Sequence, residues 1–339
     1  MTNGKRNALI LALILCLVGA AISTFALARV GFDFGKLGSV KMREYEVTPE
    51  EPFTYISAVT NRYDFSLQQS ADGKARVKIL CPEDETVSVS AEDDVLKLRT
   101  ESGEHWLKSI FNFKEQPSSV TMYLPPEQAA ALTVTTTSGD VESLVINPFV
   151  NVSVQTTSGD IAWNGDSKGQ QFDFTTTSGD VSVNRIEALR LNVQTTSGDI
   201  DLRECGCGPQ GGITVGTTSG EILLKSSSAQ AVAAHSTSGD ITLESVECAD
   251  AALLNTTSGE IRLADLVTAG ICQIDTTSGD VHLVRADAGK FEIGTVSGDV
   301  TGSLRGIEKE VRTDGSAAEE NWTVNTTSGF VHIFPVSAE

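Results

Sequence analysis

The stretch Thr175-Thr-Thr-Ser-Gly-Asp-Val181, which returns as Thr195-Thr-Ser-Gly-Asp-Ile200, carries the motif that decides the fold. Ten copies of its Ser-Gly pair occur after residue 130, and nine of them continue with Asp or Glu. Successive glycines lie 19 to 22 residues apart, except for a last gap of 31 residues. A fixed period near 20 residues is typical of a solenoid of stacked coils. We interpret the repeated glycines as its turn residues: Gly139, Gly159, Gly179, Gly198, Gly220, Gly239, Gly259, Gly279, Gly298 and Gly329.

The residues around each glycine predict the inner surface of one coil. Positions seven and five residues before glycine are apolar, as in Leu191 and Val193, and the second residue after it is Val or Ile. Strand alternation predicts that the Thr or Ser three before glycine, and the Ser one before it, also point inward. A third inward point is expected seven residues after glycine, at Ile146, Ile186, Val246 and Leu266. We expect the glycine to supply a corner conformation that β-branched residues disfavour.

These patterns predict an all-β protein, a parallel β-solenoid with about 20 residues per coil, preceded by one N-terminal transmembrane helix. Residues 131–339 form the regular repeat, and residues 41–130 form irregular N-terminal coils and a cap. Strands are expected at 55–59, 63–67, 77–80 and 95–98, with 105–111 as a covering loop or short helix. At the other end, Trp322 and Phe330 indicate a closing coil, and Thr313-Asp314-Gly315 resembles a degraded motif copy.

The N-terminus has the pattern of a membrane segment. Lys5 and Arg6 precede an uncharged apolar run over residues 8–28, which is long enough to cross a bilayer. The positive flank predicts that residues 1–7 are cytoplasmic and that the chain after a linker at 29–40 is extracytoplasmic. The alternative is a signal peptide cleaved after Ala26-Leu27-Ala28, which would give a secreted protein. The localisation expected is therefore the bacterial cell membrane, single-pass, or the exterior.

Composition excludes some function classes. Asp and Glu number 45 against 25 Lys and Arg, which gives a net charge of −20 and disfavours nucleic acid as a partner. Outside the apolar run the five cysteines, an odd number, do not suggest a disulfide framework, and we expect buried thiols. These five residues are Cys81, Cys205, Cys207, Cys248 and Cys272.

Three segments resemble a known family. Val120-Thr-Met-Tyr-Leu-Pro125, followed by Leu132-Thr-Val-Thr-Thr-Thr-Ser-Gly-Asp-Val141, is similar to the putative-adhesin family of bacterial β-strand-repeat domains, and Tyr63-Asp-Phe-Ser-Leu67 resembles an earlier strand of it. The resemblance covers about residues 45–335. It implies a membrane-anchored or exported bacterial envelope protein, of a kind found near envelope-stress genes, and it implies no catalytic motif.

The acidic residues after the glycines are the candidate metal ligands. Coils about 4.8 Å apart would stack these carboxylates along one edge, where neighbouring charges repel by about 0.9 kcal/mol even in bulk water. One interpretation is turn chemistry, in which Asp accepts backbone N–H bonds. The other is a ladder of calcium ions, for which oxygen ligands are suited. The aspartates of this ladder are Asp140, Asp160, Asp180, Asp199, Asp240, Asp280 and Asp299, with Glu221 and Glu260 between them.

The outward residues favour binding over catalysis. Acids recur in nine of the ten motif copies, whereas an enzyme site should break the repeat, and the four histidines are scattered along the chain. We therefore expect a non-enzymatic, adhesin-like surface module that binds an envelope protein or a glycan, with no cofactor besides possible calcium. The alternative is an accessory or regulatory envelope-stress protein that contacts a membrane partner; a carbohydrate-active enzyme is less favoured. The sequence does not predict the oligomeric state.

If calcium fills the acidic ladder, it binds the folded chain and should raise its melting temperature. We expect the purified chain to melt at a higher temperature in calcium than in a chelator, as followed by circular dichroism. Identical melting curves in the two buffers would rule out the ladder.

Overall fold

The computed structural model describes residues 16–20, 22–25, 28–29, 41–83, 85–101, 118–126, 130–145, 149–305, 307 and 310–336. Twenty-seven strands in these residues hydrogen-bond into one continuous sheet system. Their bounds are β1 Met42–Val47, β2 Tyr55–Val59, β3 Asp64–Gln69, β4 Arg76–Pro82, β5 Thr86–Glu92, β6 Val95–Glu101, β7 Ser119–Leu124, β8 Ala131–Thr135, β9 Val141–Ser143, β10 Asn151–Gln155, β11 Ile161–Lys168, β12 Gln171–Thr175, β13 Val181–Gln194, β14 Ile200–Arg203, β15 Gly206–Gly216, β16 Ile222–Lys225, β17 Ser228–His235, β18 Ile241–Glu244, β19 Glu247–Thr256, β20 Ile261–Ala264, β21 Val267–Thr276, β22 Val281–Thr295, β23 Val300–Leu304, β24 Val311–Asp314, β25 Ala317–Glu319, β26 Trp322–Thr326 and β27 Phe330–Pro335. The predicted strands at 55–59, 63–67, 77–80 and 95–98 are confirmed as β2, β3, β4 and β6.

The body is a parallel solenoid, as predicted. Each coil places its strands directly on the same strands of the next coil, so that Val215 of β15 faces Ala234 of β17, which faces Leu254 of β19. A second ladder after the glycine corner runs through β14, β16, β18 and β20. Differences in repeat length are absorbed in bulges on the third side, such as the register shift between Gly206 and Gly212. The bulges keep the two main ladders in register.

The predicted inner columns form the core. The residues seven and five before each glycine are buried in all ten copies, and so are the Val or Ile two after it. At the third inward point, Ile186, Val246 and Leu266 are buried as expected, while Ile146 lies outside the described residues. The five cysteines beyond the apolar run are buried free thiols. Burial raises the pKa of the Cys207 thiol to about 11, which keeps it protonated.

The serine before each glycine does not point inward, and this part of the prediction is wrong. The Thr or Ser three before glycine is buried in every copy, but the next two residues are both exposed and the glycine itself is buried, as Thr176 to Gly179 show. Two successive exposed residues break the alternation because the chain turns a corner there. Period-two reasoning holds only while the chain remains extended.

The reason for the glycine also differs from the expectation. None of the ten motif glycines, all of which the structure describes, has a positive φ. The constraint is instead the spacing of the coils. A Cβ built on Gly239 would lie 1.7 Å from the carbonyl oxygen of Gly220 in the preceding coil, and one on Gly220 would lie 1.8 Å from that of Gly198. Glycine is required because backbone packs directly on backbone.

The positive φ angles lie at a second corner, six residues after the glycine. Non-glycine residues take the left-handed conformation there in six successive coils, at a cost of about 1–2 kcal/mol each relative to the right-handed region. They are Arg185, Glu204, Ser226, Ser245, Asp265 and Arg285, with φ between 50° and 59°. Salt bridges join some of their side chains to neighbouring coils, as between Arg285 and Asp265. The sequence predicted the inward residue that follows this corner, as at Ile186, but not the left-handed conformation, since the six residues share only a polar side chain.

The N-terminal end has a layer order that differs from chain order. Strand β2 pairs in parallel with both β6 and β8, and β3 pairs with both β7 and β9. The chain therefore forms its second layer first, then the outermost layer, and then the rest of the stack. Strands β1 and β4 extend β7 in antiparallel pairing, and β5 extends β6 in the same way. The parallel stack of the body thus continues into this end, where antiparallel strands are added to its outermost layer.

The C-terminal end is closed by a similar device. Trp322 and Phe330 belong to the last parallel coil, which stacks on β22 and β23, so the predicted closing coil is confirmed. Thr313-Asp314-Gly315 is not a motif copy, contrary to expectation, because β24 runs antiparallel to β27 and β25 runs antiparallel to β26. The long last gap therefore holds a hairpin that covers the open edge of the final coil, which limits strand addition there.

The predicted membrane segment falls largely outside the described residues. Residues 16–20, 22–25 and 28–29 are helical, while the rest of 1–40 is not described, including the predicted linker apart from Arg29. No described helix has the length and apolar character that a bilayer crossing requires. The covering segment expected at 105–111 also lies outside the described residues.

The glycine contact makes a prediction about stability. Gly239→Ala should destabilise the fold by about 3 kcal/mol, because its methyl group would overlap the Gly220 carbonyl and force the coils apart. Gly212→Ala is the matched control in the same stack, since its Cβ would meet only the Ala231 oxygen at 3.5 Å. Urea unfolding followed by circular dichroism measures both. Equal midpoints for the two variants would contradict the close-packing argument.

Candidate functional site

The repeated motif forms a continuous edge of inter-coil hydrogen bonds. The Thr176 hydroxyl accepts from the Gly179 amide at 3.1 Å and donates to the Gly159 carbonyl of the preceding coil at 3.1 Å. The Ser178 amide donates to the Thr157 carbonyl, also of the preceding coil, at 3.0 Å. The same hydroxyl-to-carbonyl bond is made by Thr195, Thr217, Ser236 and Thr256. In these five coils the buried hydroxyl thus accepts from the glycine amide of its own corner and donates to the glycine carbonyl of the preceding coil.

The acidic residues complete this edge. The Asp180 amide donates to the Asp160 carboxylate at 2.9 Å, and the Asp180 carboxylate accepts from the Asp199 amide at 2.8 Å. Bonds of this kind are accepted by Asp64, Asp140, Asp160, Asp180, Asp199, Asp240, Asp280 and Asp299. The geometry is that of the turn-chemistry interpretation, with the carboxylate of one coil binding the backbone of the next. The row therefore has a structural role whatever else it binds.

The two glutamates behave differently. Glu260 reaches sideways to Arg262, with 2.7 Å between its carboxylate and the guanidinium, and lies 3.7 Å from His282. Within the described ranges, neither Glu260 nor Glu221 accepts an amide of the following coil. The longer side chain keeps the charge and loses the short reach that the backbone bond needs.

The predicted calcium ladder has no extra ligands in the structure. The described part of the chain contains no group of three or more His, Cys, Asp or Glu side chains arranged to hold a metal ion. The ladder of Asp140, Asp160, Asp180, Asp199, Asp240, Asp280 and Asp299 stays a prediction, which the melting experiment addresses.

A tenth acid, Asp64, heads the row and was missed by the motif search. Asp64 stacks on Asp140, and Phe65 is in register with Val141, so Thr60 to Phe65 form a corner with Tyr63 in the glycine position. Burial raises the pKa of the Asp64 carboxyl, the bond from the Asp140 amide opposes the rise, and the Asp140 charge adds to it. A search for Thr followed four residues later by Asp and an apolar residue would have found it.

At this corner a buried side chain, that of Tyr63, stands where the other corners have glycine. Its ring is buried, and its hydroxyl donates to the Glu85 carboxylate at 2.6 Å. Glu85 also pairs with Arg62. Burial first, and then the bond to Glu85, raise the pKa of the Tyr63 hydroxyl. The first corner is thus held by side chains that take the place of glycine packing.

The outer face of the first ladder contains a cleft. A cavity of about 250 Å³ opens on three successive coils, and its lining includes His235, Leu253, Asn255, Gln273 and Asp275. From the sequence, His235 was only one of four scattered histidines, and Asn255 was not singled out. What the sequence could not show is that neighbouring side chains leave a space between them.

The remaining histidines do not form a site together. His282 Nδ1 lies 2.7 Å from Thr301 Oγ1, and His332 Nε2 lies 2.7 Å from Glu310, while His105 is outside the described residues. Each described histidine therefore has a separate environment, with His235 at the cleft.

Comparison with known families agrees with this architecture. The family model described as Toastrack DUF4097 matches residues 55–226 and 209–311. The chain belongs to this family. The family resemblance proposed from the sequence is thereby confirmed, as a β-repeat domain of unknown function. Both Toastrack matches together span most of the stacked coils and leave out β1 and the C-terminal hairpin. Among curated proteins, none matches the chain.

Several solved structures are similar to the chain at low identity. A putative adhesin from Bacteroides fragilis is 18% identical, with a TM-score of 0.38, over 79% of this chain and 97% of that one. A putative lipid binding protein from Parabacteroides distasonis is 15% identical, with a TM-score of 0.38, over 88% of this chain and 98% of that one. A putative cell adhesion protein from Clostridium sporogenes is 11% identical, with a TM-score of 0.29, over 69% and 100%.

The raised pKa of Asp64 gives a pH-dependent prediction. A carboxyl whose pKa is raised on folding contributes stability that is present below its ordinary pKa and is lost as the pH rises through the raised value. Asp64→Asn keeps an oxygen for the Asp140 amide and cannot ionise. We therefore expect the variant to melt at a higher temperature than the native chain at neutral pH, and the difference to vanish near about pH 3.

Asp72 is the matched control for this experiment. A hydrogen bond from Ser70 lowers the pKa of the Asp72 carboxyl, so its contribution to stability is present above its ordinary pKa and is lost as the pH falls. Asp72→Asn should lower the melting temperature at neutral pH. A melting shift of the same sign in both variants would contradict the assignment of Asp64.

Proposed function

We propose that the chain is a non-enzymatic surface-binding module of a bacterial envelope. The observation that carries the proposal is that one set of residues in each coil binds the neighbouring coils, while another set forms the outer surface. The glycine, most of the buried hydroxyls and most of the carboxylates contact a neighbouring coil: Thr176 and Gly179 contact the preceding coil, and the Asp180 carboxylate accepts from the next one. The outward columns of the ladders are not needed for stacking and form long polar faces. Such faces suit recognition, whereas catalysis needs a converging set of groups.

Two classes of ligand fit these faces. Polar side chains recur at the coil spacing of about 4.8 Å along a rigid stack, which favours an extended ligand such as an envelope glycan or a protein surface. The net charge of −20 disfavours strongly anionic partners. Both ligand classes therefore belong to the proposal, with a preference for neutral or basic chemistry.

Placement at the membrane is part of the proposal and is supported by the sequence alone. The apolar run over 8–28 follows Lys5 and Arg6, which favours an uncleaved anchor with the coils outside. Cleavage after Ala28 would instead release the coils from the cell. In either case the binding faces lie outside the cytoplasmic membrane.

A second candidate function is an accessory role in envelope-stress signalling. Only residues 29–40 separate the apolar run from β1, so the first coils would lie close to the bilayer. This short separation favours contact with a membrane partner over reach toward another cell. In this alternative the anchor positions the solenoid beside the partner.

Photo-crosslinking in cells tests the two candidates. A photoreactive amino acid at Gln155 or Asn255 probes the outer face of the first ladder, and one at His282 probes the second. We expect adducts to wall glycan or to neighbouring-cell proteins for the binding module, identified by mass spectrometry. Adducts to one membrane protein would favour the accessory role instead.

A position away from both faces supplies the control. Glu320 lies in the exposed turn between β25 and β26 of the C-terminal hairpin. Crosslinks from Gln155, Asn255 and His282 that match the background from Glu320 would contradict a binding role for either face.

A further inference from the structure

Glycines interrupt one outward column of the first ladder, whereas the core columns of the same ladder contain no glycine. The residue four before each motif glycine faces outward, and in five successive coils it is Gly216, His235, Asn255, Asp275 and Gly294. These five residues face one another in register. Three polar residues thus lie between two glycines, an arrangement that does not recur in the rest of the ladder.

The two glycines accommodate side chains that lean in opposite directions. A Cβ built on Gly216 would lie 2.1 Å from the His235 ring, so the imidazole covers Gly216. A Cβ on Gly294 would lie 2.8 Å from the Asp275 carboxylate, so the carboxylate leans toward the following coil. His235 and Asp275 therefore move away from Asn255, which lies between them. The cleft of about 250 Å³ is the space that they leave.

The lining of the cleft combines an apolar floor with polar walls. Leu253, whose side chain is 42% exposed, and Ala233 are its outward apolar members, and the core residues Ala234 and Leu254 lie behind them. The Gln273 amide donates to the Asp275 carboxylate at 2.8 Å, which orients both groups. In the described part of the chain, no hydrogen bond engages the His235 ring or the Asn255 amide. These two groups are available to a ligand as donors and acceptors.

We propose that this cleft binds one neutral sugar ring of an envelope glycan, an inference that rests on the proposed binding function. The C–H face of a pyranose would cover Leu253 and Ala233. Its hydroxyls would bond to His235, Asn255 and Asp275, whose imidazole, amide and carboxylate provide both donors and acceptors. The volume is below the roughly 300 Å³ at which pockets for drug-sized ligands begin, which matches a single ring.

The alternative of an extended peptide is disfavoured by the same strands. Peptides that bind β-sheets commonly add a strand to an open edge. Here β17, β19 and β21 are each paired on both sides, so the backbone offers no free edge at the cleft. The acidic surface and the Asp275 carboxylate disfavour an acidic sugar. A neutral sugar is the ligand that remains.

Saturation-transfer NMR on the full-length chain in detergent tests the site. Glucose, galactose, mannose and N-acetylglucosamine are the probes, with glucuronate as the acidic comparison. We expect transfer to at least one neutral sugar and none to glucuronate. Asn255→Ala should weaken binding of that sugar about tenfold, as the loss of one good hydrogen-bonding group does. Asn255 is exposed, and circular dichroism melting checks that the variant folds as the native chain does.

The control is Gln155→Ala, in the same outward column but in a coil far from the cleft. It should leave sugar binding unchanged. No transfer to any neutral sugar, or equal weakening by both variants, would overturn the site. If crosslinks from Asn255 reach only proteins while no sugar binds, the sugar site is wrong and the binding module remains. If neither experiment gives a ligand, both proposals fail.

Discussion

Direct contact between the backbones of successive coils is the constraint on which the rest of the structure depends. Each motif glycine lies so close to the corner carbonyl of the preceding coil that a single methyl group would overlap it, as for Gly239 over Gly220. The approach fixes the spacing and the register of the corner. The hydroxyl and carboxylate bonds, such as those of Thr176 and Asp160, then hold each corner on its neighbour. With the corner fixed, the apolar columns meet in register and close one core.

The sequence predicts the body of this fold well because each copy of the repeated motif corresponds to one coil of the stack. Positions seven and five before glycine are buried in every coil because strand alternation is a local property of extended chain. The prediction failed at the serine before glycine, where the chain turns and alternation ends. The prediction also explained the glycine by its conformational freedom, because the distance between two coils cannot be read from the sequence of one coil. The left-handed corner at residues such as Ser245 and Asp265 has no common side chain that could reveal it.

The ends were harder to predict because they are built from non-repeated segments that return over the stack. Strand β6 lies outside β2 although it follows it in the chain, and β24 with β25 covers the coil that comes after them. Both arrangements cover an edge that would otherwise present unpaired backbone groups. Tyr63 is another local exception to the repeat, since a side chain bonded to Glu85 stands at the first corner, where the other corners have glycine. Exceptions of this kind depend on tertiary contacts and are therefore hard to recognise in a periodic sequence pattern.

The columns of the coils divide into uniform ones, which hold the stack together, and variable ones, which shape the outer surface. Columns that hold the coils together are nearly invariant from coil to coil, because each member makes the same contact with the next. The column containing His235, Asn255 and Asp275 makes no such contact, and its members differ. A glycine in that column serves no stacking purpose, yet Gly216 and Gly294 stand where two side chains need room to lean apart. In a repeat protein, a glycine that the stack does not require is therefore the more informative one, because it shapes the outer surface.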